Sequence, residues 1–188
     1  EFGQYLDSSI SKLFAGYNFN GRFGLQLNVP IIYRSFKRPE GYAIDRGTES
    51  GLGDISLLGN LHVLQKDGNN VTFNWSVLGG IKMPTGSTDR LKEEFNEVEV
   101  PGAPESGIHG HDLTLGSGSW DGIAGSSAFV RWKRLFMTAG VQYNIRTEGV
   151  FDYEFADDLT WLGGPGAYLI LGDRHTLALQ LVVSGEHK

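Results

Sequence analysis

VTFNWSVLGGIKM, residues 71–83, decides how the chain is read. Its odd positions are Val71, Phe73, Trp75, Val77, Gly79, Ile81 and Met83. Its even positions are Thr72, Asn74, Ser76, Leu78, Gly80 and Lys82. Side chains of successive strand residues point to opposite faces. The stretch is therefore a β-strand with one apolar and one mostly polar face. Strands of soluble proteins run to about 5–6 residues, whereas a tilted strand that crosses a bilayer needs about 9–11.

The same alternation recurs on both sides. Residues 9–19 place Leu13, Ala15, Tyr17 and Phe19 on one face, broken only by Phe14. Asn20-Gly21 follows, the signature of a two-residue type I′ hairpin turn. Residues 22–36 alternate again, and Pro30 in their middle predicts a bulge or local break nearby, since proline cannot donate to a ladder. A polar loop is expected over 37–50, a strand over 51–64 and a short turn over 65–70. After Met83 comes the longest interruption, 84–117, where Leu91 and Phe95 are spaced for one short surface helix. Strands are then expected over 119–132, 135–146, 159–171 and 176–186. Lys133-Arg134, a medium loop over 147–157 and a turn over 172–175 join them. For 119–132 the pattern is small-residue rich and leaves open which face is which.

That makes eight long strands whose connections alternate between short and long. Such a meander is the pattern of an antiparallel up-and-down transmembrane β-barrel. Aromatic residues fall where interface girdles would lie: Tyr17, Phe19, Phe23, Phe73, Trp75 and Trp132 toward the short turns, Tyr33, Phe36, Tyr143 and Trp161 toward the long loops. A soluble barrel or sandwich also alternates, but its polar face is the outer one and is richly charged. Here the polar face is mostly Gly, Ser, Thr, Asn and Gln, which suits a hydrated lumen. Short turns of bacterial barrels lie in the periplasm, so both ends of this chain are expected outside the cell. The expectation is an internal fragment of a barrel with ten, twelve or more strands, integral to the outer membrane of a Gram-negative cell envelope.

Composition narrows the function. No run of 18 apolar residues exists, so no transmembrane helix is predicted. There are no cysteines, which excludes a disulfide scaffold and thiolate metal sites. Net charge is −6 and no basic patch stands out, which argues against nucleic acid. No Gly-x-Ser-x-Gly elbow is present. Ser76 and His62 share a face on paired strands, but a serine is expected in any hydrated pore, so no enzyme is read here.

Three motifs carry a family resemblance. Gly51-Leu52-Gly53-Asp54-Ile55 opens a strand, Lys82-Met83-Pro84-Thr85-Gly86 closes the next, and Leu115-Gly116-Ser117-Gly118-Ser119-Trp120-Asp121 opens another. In order and spacing, over roughly residues 10–185, they resemble the outer-membrane channel family named for the meta-pathway of phenol degradation. The resemblance implies a porin-like transport barrel for small organic molecules, with no catalytic residues and no cofactor.

The lumen candidates are Lys12, Arg34, Asp54, His62, Lys82, Asp121, Arg131, Gln142, Arg146 and Glu186. Fixed charges of both signs tune which solutes pass a pore. Asp54, Lys82, Asp121 and Arg146 fall near strand ends and are expected at the outer mouth, where interior charges must be paired or hydrated. His109, His111 and Asp112 are the one concentrated set of metal-type ligands, although a solvated loop is the simpler reading. The acidic run Asp89, Glu93, Glu94, Glu97 and Glu99 could bridge lipopolysaccharide through divalent ions or be an ordinary charged loop. The expected partners are membrane lipid, lipopolysaccharide and a small-molecule solute, hydrophobic or aromatic. The competing reading is an anchoring barrel that docks a surface protein through residues 84–117.

Overall fold

Alternating side chains build one antiparallel sheet of ten strands, curled into a half-barrel. The computed structural model describes residues 3–96, 100–172 and 174–187, without the side chains of 94–96. The strands are β1 Tyr5–Asn18, β2 Phe23–Glu40, β3 Ala43–Leu52, β4 Ile55–Asp67, β5 Val71–Met83, β6 Asp121–Trp132, β7 Leu135–Ile145, β8 Asp158–Leu171, β9 Thr176–Gln180 and β10 Val183–His187. Helices α1 (Leu91–Asn96) and α2 (Gly110–Leu113) and a 3-10 turn (Val150–Asp152) lie in the long connections.

The ten strands make eight staves. β3 and β4 run end to end along β2, and β9 and β10 run end to end along β8. Both interruptions face a proline. The Gly53 N–H donates to the Pro30 carbonyl at 2.9 Å, and the Leu181 N–H to the Pro165 carbonyl at 3.0 Å. A strand residue's N–H and C=O point to the same side, so each proline presents a missing donor to the stave that breaks. Of the bulge or local break expected near Pro30, β2 itself has neither and runs unbroken; a break falls in its neighbour, between β3 and β4.

Two further expectations change. Asn20-Gly21 is not a type I′ turn, because neither residue has positive φ. The Asn20 side chain instead accepts from the Arg22 and Phe23 N–H groups at 2.8 and 2.7 Å, capping a four-residue connection. The polar loop at 37–50 is a hairpin: β2 continues to Glu40, turns at Gly41-Tyr42 with φ +58 at the glycine, and returns as β3. Glu97 and Glu99 lie outside the described residues, as does the Glu94 side chain.

The register settles the face of β6. Thr72, Ser76 and Lys82 lie opposite Arg131, Ser127 and Asp121, so Asp121, Ser127 and Arg131 belong to the inner face. The outer face is apolar and uncovered: Trp132 is 57% exposed and Leu179 64%. In all the chain exposes 12226 Å², where a compact monomer of 20.6 kDa exposes about 8,900 Å². Its small apolar core sits at the long-connection end, not mid-sheet. There Phe36 of β2 meets Ile108 and Leu113 of the segment between β5 and β6, with Ile32, Leu91 and Leu115 also buried.

Candidate functional site

The segment between β5 and β6 folds back onto the inner face. Arg34 of β2 reaches inward and donates Nη1 to the carbonyls of Asp112, at 2.6 Å, and Thr114. Phe36, one step along the same face, packs against Ile108 and Leu113. Above them Arg38, 4% exposed, bridges Asp45 of β3 and Glu93 of α1 at 3.1 and 2.9 Å. Arg90 holds Glu49 and Glu93 at 2.7 and 2.8 Å and lies 5.1 Å over the Phe36 ring. Burial alone would lower the Arg90 pKa; the hydrogen bonds it donates to Glu93 and Glu49 reverse this and hold it above its ordinary value.

Below this cap, three glycine-rich stretches far apart in sequence tie into one knot. Asp54, between β3 and β4, accepts from the Gly86 N–H at 3.0 Å and from both the Ser117 N–H and Oγ at 2.8 Å. Thr85 donates to the Gly53 carbonyl at 3.0 Å and accepts from the Ile55 N–H at 2.8 Å. Gly86 and Gly116 touch backbone to backbone: a Cβ on Gly116 would stand 2.5 Å from the Gly86 oxygen. Lys82 lies among the acids, 3.2 Å from Asp54 and 2.5 Å from Asp121. Asp121 also accepts from Arg146 at 2.9 Å and from Ser119 at 2.8 Å, and Arg146 continues to Asp158.

Thus Asp54, Lys82, Asp121 and Arg146 do converge, and they pair with one another across β4, β5, β6 and β7. Asp158, Ser117 and Ser119 complete the lattice but were absent from the sequence candidates. Asp158 was missed because β8 was expected to start one residue later; its inner-face register opposite Asn144 identifies it. Beside the lattice, Asp157 accepts from the Tyr143 hydroxyl and the Arg146 N–H, which hold its carboxyl below the usual range.

The remaining candidates spread along the inner face. A trough of 690 Å³ is lined by Ser76, Leu78, Phe129, Gln142, Leu162 and Glu186 among others. Gln142 donates to Asn144 at 3.0 Å. His62 Nδ1 is 2.7 Å from Ser76 Oγ. Among the described residues no carboxylate hydrogen-bonds that imidazole, so the pair lacks the third member of a hydrolytic triad. Arg131 donates to Thr72 near the short turns. Lys12 stands on the inner face of β1, opposite Pro30. His109 and His111 stack face to face, with centroids 5.6 Å apart and planes 3° from parallel. Asp112 Oδ2 accepts from the His109 N–H at 3.0 Å. Among the described residues no group of three metal-type ligands forms. No family model matches the chain, and no curated protein matches it.

Proposed function

We propose that this sheet is part of an outer-membrane β-barrel that passes small organic solutes, its outer mouth narrowed by residues 84–120. The observation that carries the proposal is the inverted polarity of the sheet. From β2 to β8 the exposed outer face is apolar at mid-strand, with Leu27, Leu57, Ile81, Val130, Val141 and Trp161, while hydroxyls, amides and paired charges lie on the inner face; β1 is mixed, with Ser9 and Ser11 outward and Ile10 and Phe14 inward. Each large apolar side chain left in water forgoes about 1.5–3 kcal/mol of burial; hydrocarbon relieves that cost. The resemblance of the three glycine-rich motifs to the phenol meta-pathway channels points the same way. The trough mixes hydroxyl and amide groups with Leu78, Phe129 and Leu162, a lining suited to solutes that are apolar with a polar edge.

Docking a surface protein is the weaker reading. Arg34 and the Phe36 cluster fold the 84–120 segment inward, away from the position of a protruding arm. Planar-bilayer recording tests the channel. Reconstituted protein should give discrete conductance steps, and Arg34→Ala should enlarge them by freeing the inward segment. Silent bilayers despite confirmed insertion would overturn the channel. Unchanged steps in the variant would overturn the role of the segment.

A further inference from the structure

The net charge of −6 conceals two unlike poles. Four short connections reach the same end of the sheet: 19–22, 68–70, 133–134 and 172–175. In or beside each stands an exposed cation: Arg22, Lys66, Lys133 with Arg134, and Arg174. Among the described residues none of these five is in an ion pair. Lys133 Nζ lies 5.3 Å over the Trp132 ring, and Arg134 donates to the Leu169 carbonyl at 3.2 Å. Asp67, which accepts from the Gln65 amide at 2.9 Å, and Asp173 are the acids that the sequence places in or beside these turns, so five cations stand against two carboxylates. The opposite end is acidic. By sequence its 84–120 segment sets Asp89, Glu93, Glu94, Glu97, Glu99, Glu105 and Asp112 against Arg90 and Lys92, and 146–157 adds Glu148, Asp152, Glu154 and Asp157 against Arg146.

We propose that the short-turn end is a cationic collar that binds anionic phospholipid headgroups of the adjoining leaflet. This rests on the membrane reading above. Two features select lipid as the occupant. The cations are not clustered; they come one or two per turn, so they follow the rim of the curved sheet. An acidic protein would meet a patch, whereas a leaflet meets a rim. Exposed rings also lie immediately inboard of them, Tyr17 and Phe19 beside Arg22 and Trp132 beside Lys133. Such rings settle at the headgroup boundary and would hold the cations at phosphate depth. A cation near an anionic surface strengthens binding roughly fivefold, an attraction that salt screens beyond a Debye length of about 10 Å.

Tryptophan quenching tests it. The protein is reconstituted into mixed phosphatidylglycerol–phosphatidylcholine vesicles in which only one of the two lipids is brominated, at equal mole fraction. The reporter is Trp132, with Trp75, Trp120 and Trp161 changed to Phe. Brominated phosphatidylglycerol should quench Trp132 several-fold more than brominated phosphatidylcholine at low salt. High salt should abolish the difference, as should Arg22→Gln, Lys66→Gln, Lys133→Gln, Arg134→Gln and Arg174→Gln combined. If the combined variant fails to insert, the salt titration of the unsubstituted collar decides. Equal quenching by both lipids at low salt overturns the collar and leaves the membrane reading standing. Absence of quenching by either lipid overturns the membrane reading and the collar with it.

Discussion

Asp121 shows what a single inner-face carboxylate does. Its side chain is 1% exposed and meets Lys82, Arg146 and Ser119. A buried ion pair adds little over an apolar pair of similar volume, but removing one partner strands the other. Asp121→Asn keeps the volume and takes away the charge that two cations share. It should cost about 3 kcal/mol, read as a fall in the guanidinium midpoint of the protein in detergent. A change within about 0.5 kcal/mol, the level of an ordinary surface site, would show that the lattice is solvated and that its geometry carries no weight. At this scale the sequence was half legible. Asp121 was a candidate only because it stands next to a long connection, and its face came from the register with β5; Lys82 declared itself by period-two position. Ser117 and Ser119 did not, because they sit in irregular backbone where no periodicity assigns a face. His109 and His111 looked like ligands because they are two apart, but the first turn of α2 stacks their rings instead of converging their nitrogens.

At the scale of elements, hydrophobic alternation located the long strands and failed where something else held a strand in place. β3 has polar or small residues on both faces, among them Asp45, Arg46, Glu49 and Gly51. It is a strand because β2 offers it a ladder from Ile31 to Glu40, and pairing of that kind leaves no hydrophobic trace. The breaks at 53–54 and 181–182 were hidden for a related reason. Proline's missing donor is felt by the neighbouring stave, whose identity depends on topology. The capped end hangs on Phe36, fully buried between β2 and the inward segment. Phe36→Ala should cost about 3–5 kcal/mol locally through the cavity it leaves. The expected result is faster trypsin cleavage after Arg90 and Lys92, with the rest of the sheet still resistant. Equal cleavage rates in both proteins would mean that the cap is held by its ion pairs alone.

Taken whole, the molecule has an apolar exterior and two open margins. Among the described residues, β1 on one side and β9 with β10 on the other have only one neighbouring stave each. In hydrocarbon each unpaired backbone group costs several kcal/mol, so the proposed barrel requires further strands at both margins. The exposed face leads to a simple expectation: the folded protein should remain dispersed only in detergent or lipid, and should migrate differently on gels before and after boiling. A monodisperse, detergent-free monomer by light scattering would sink the membrane reading. The knot at Asp54, Gly86 and Ser117 also bears on how such a sheet is assembled. Hairpins close in about 1–10 μs, long before three distant stretches can meet. Sliding β5 by one residue against β4 would turn Lys82 to the apolar side and carry Gly86 away from Asp54. The knot can therefore close only over correctly paired staves, which makes it a late checkpoint that rewards the right register and leaves slipped intermediates free to unzip.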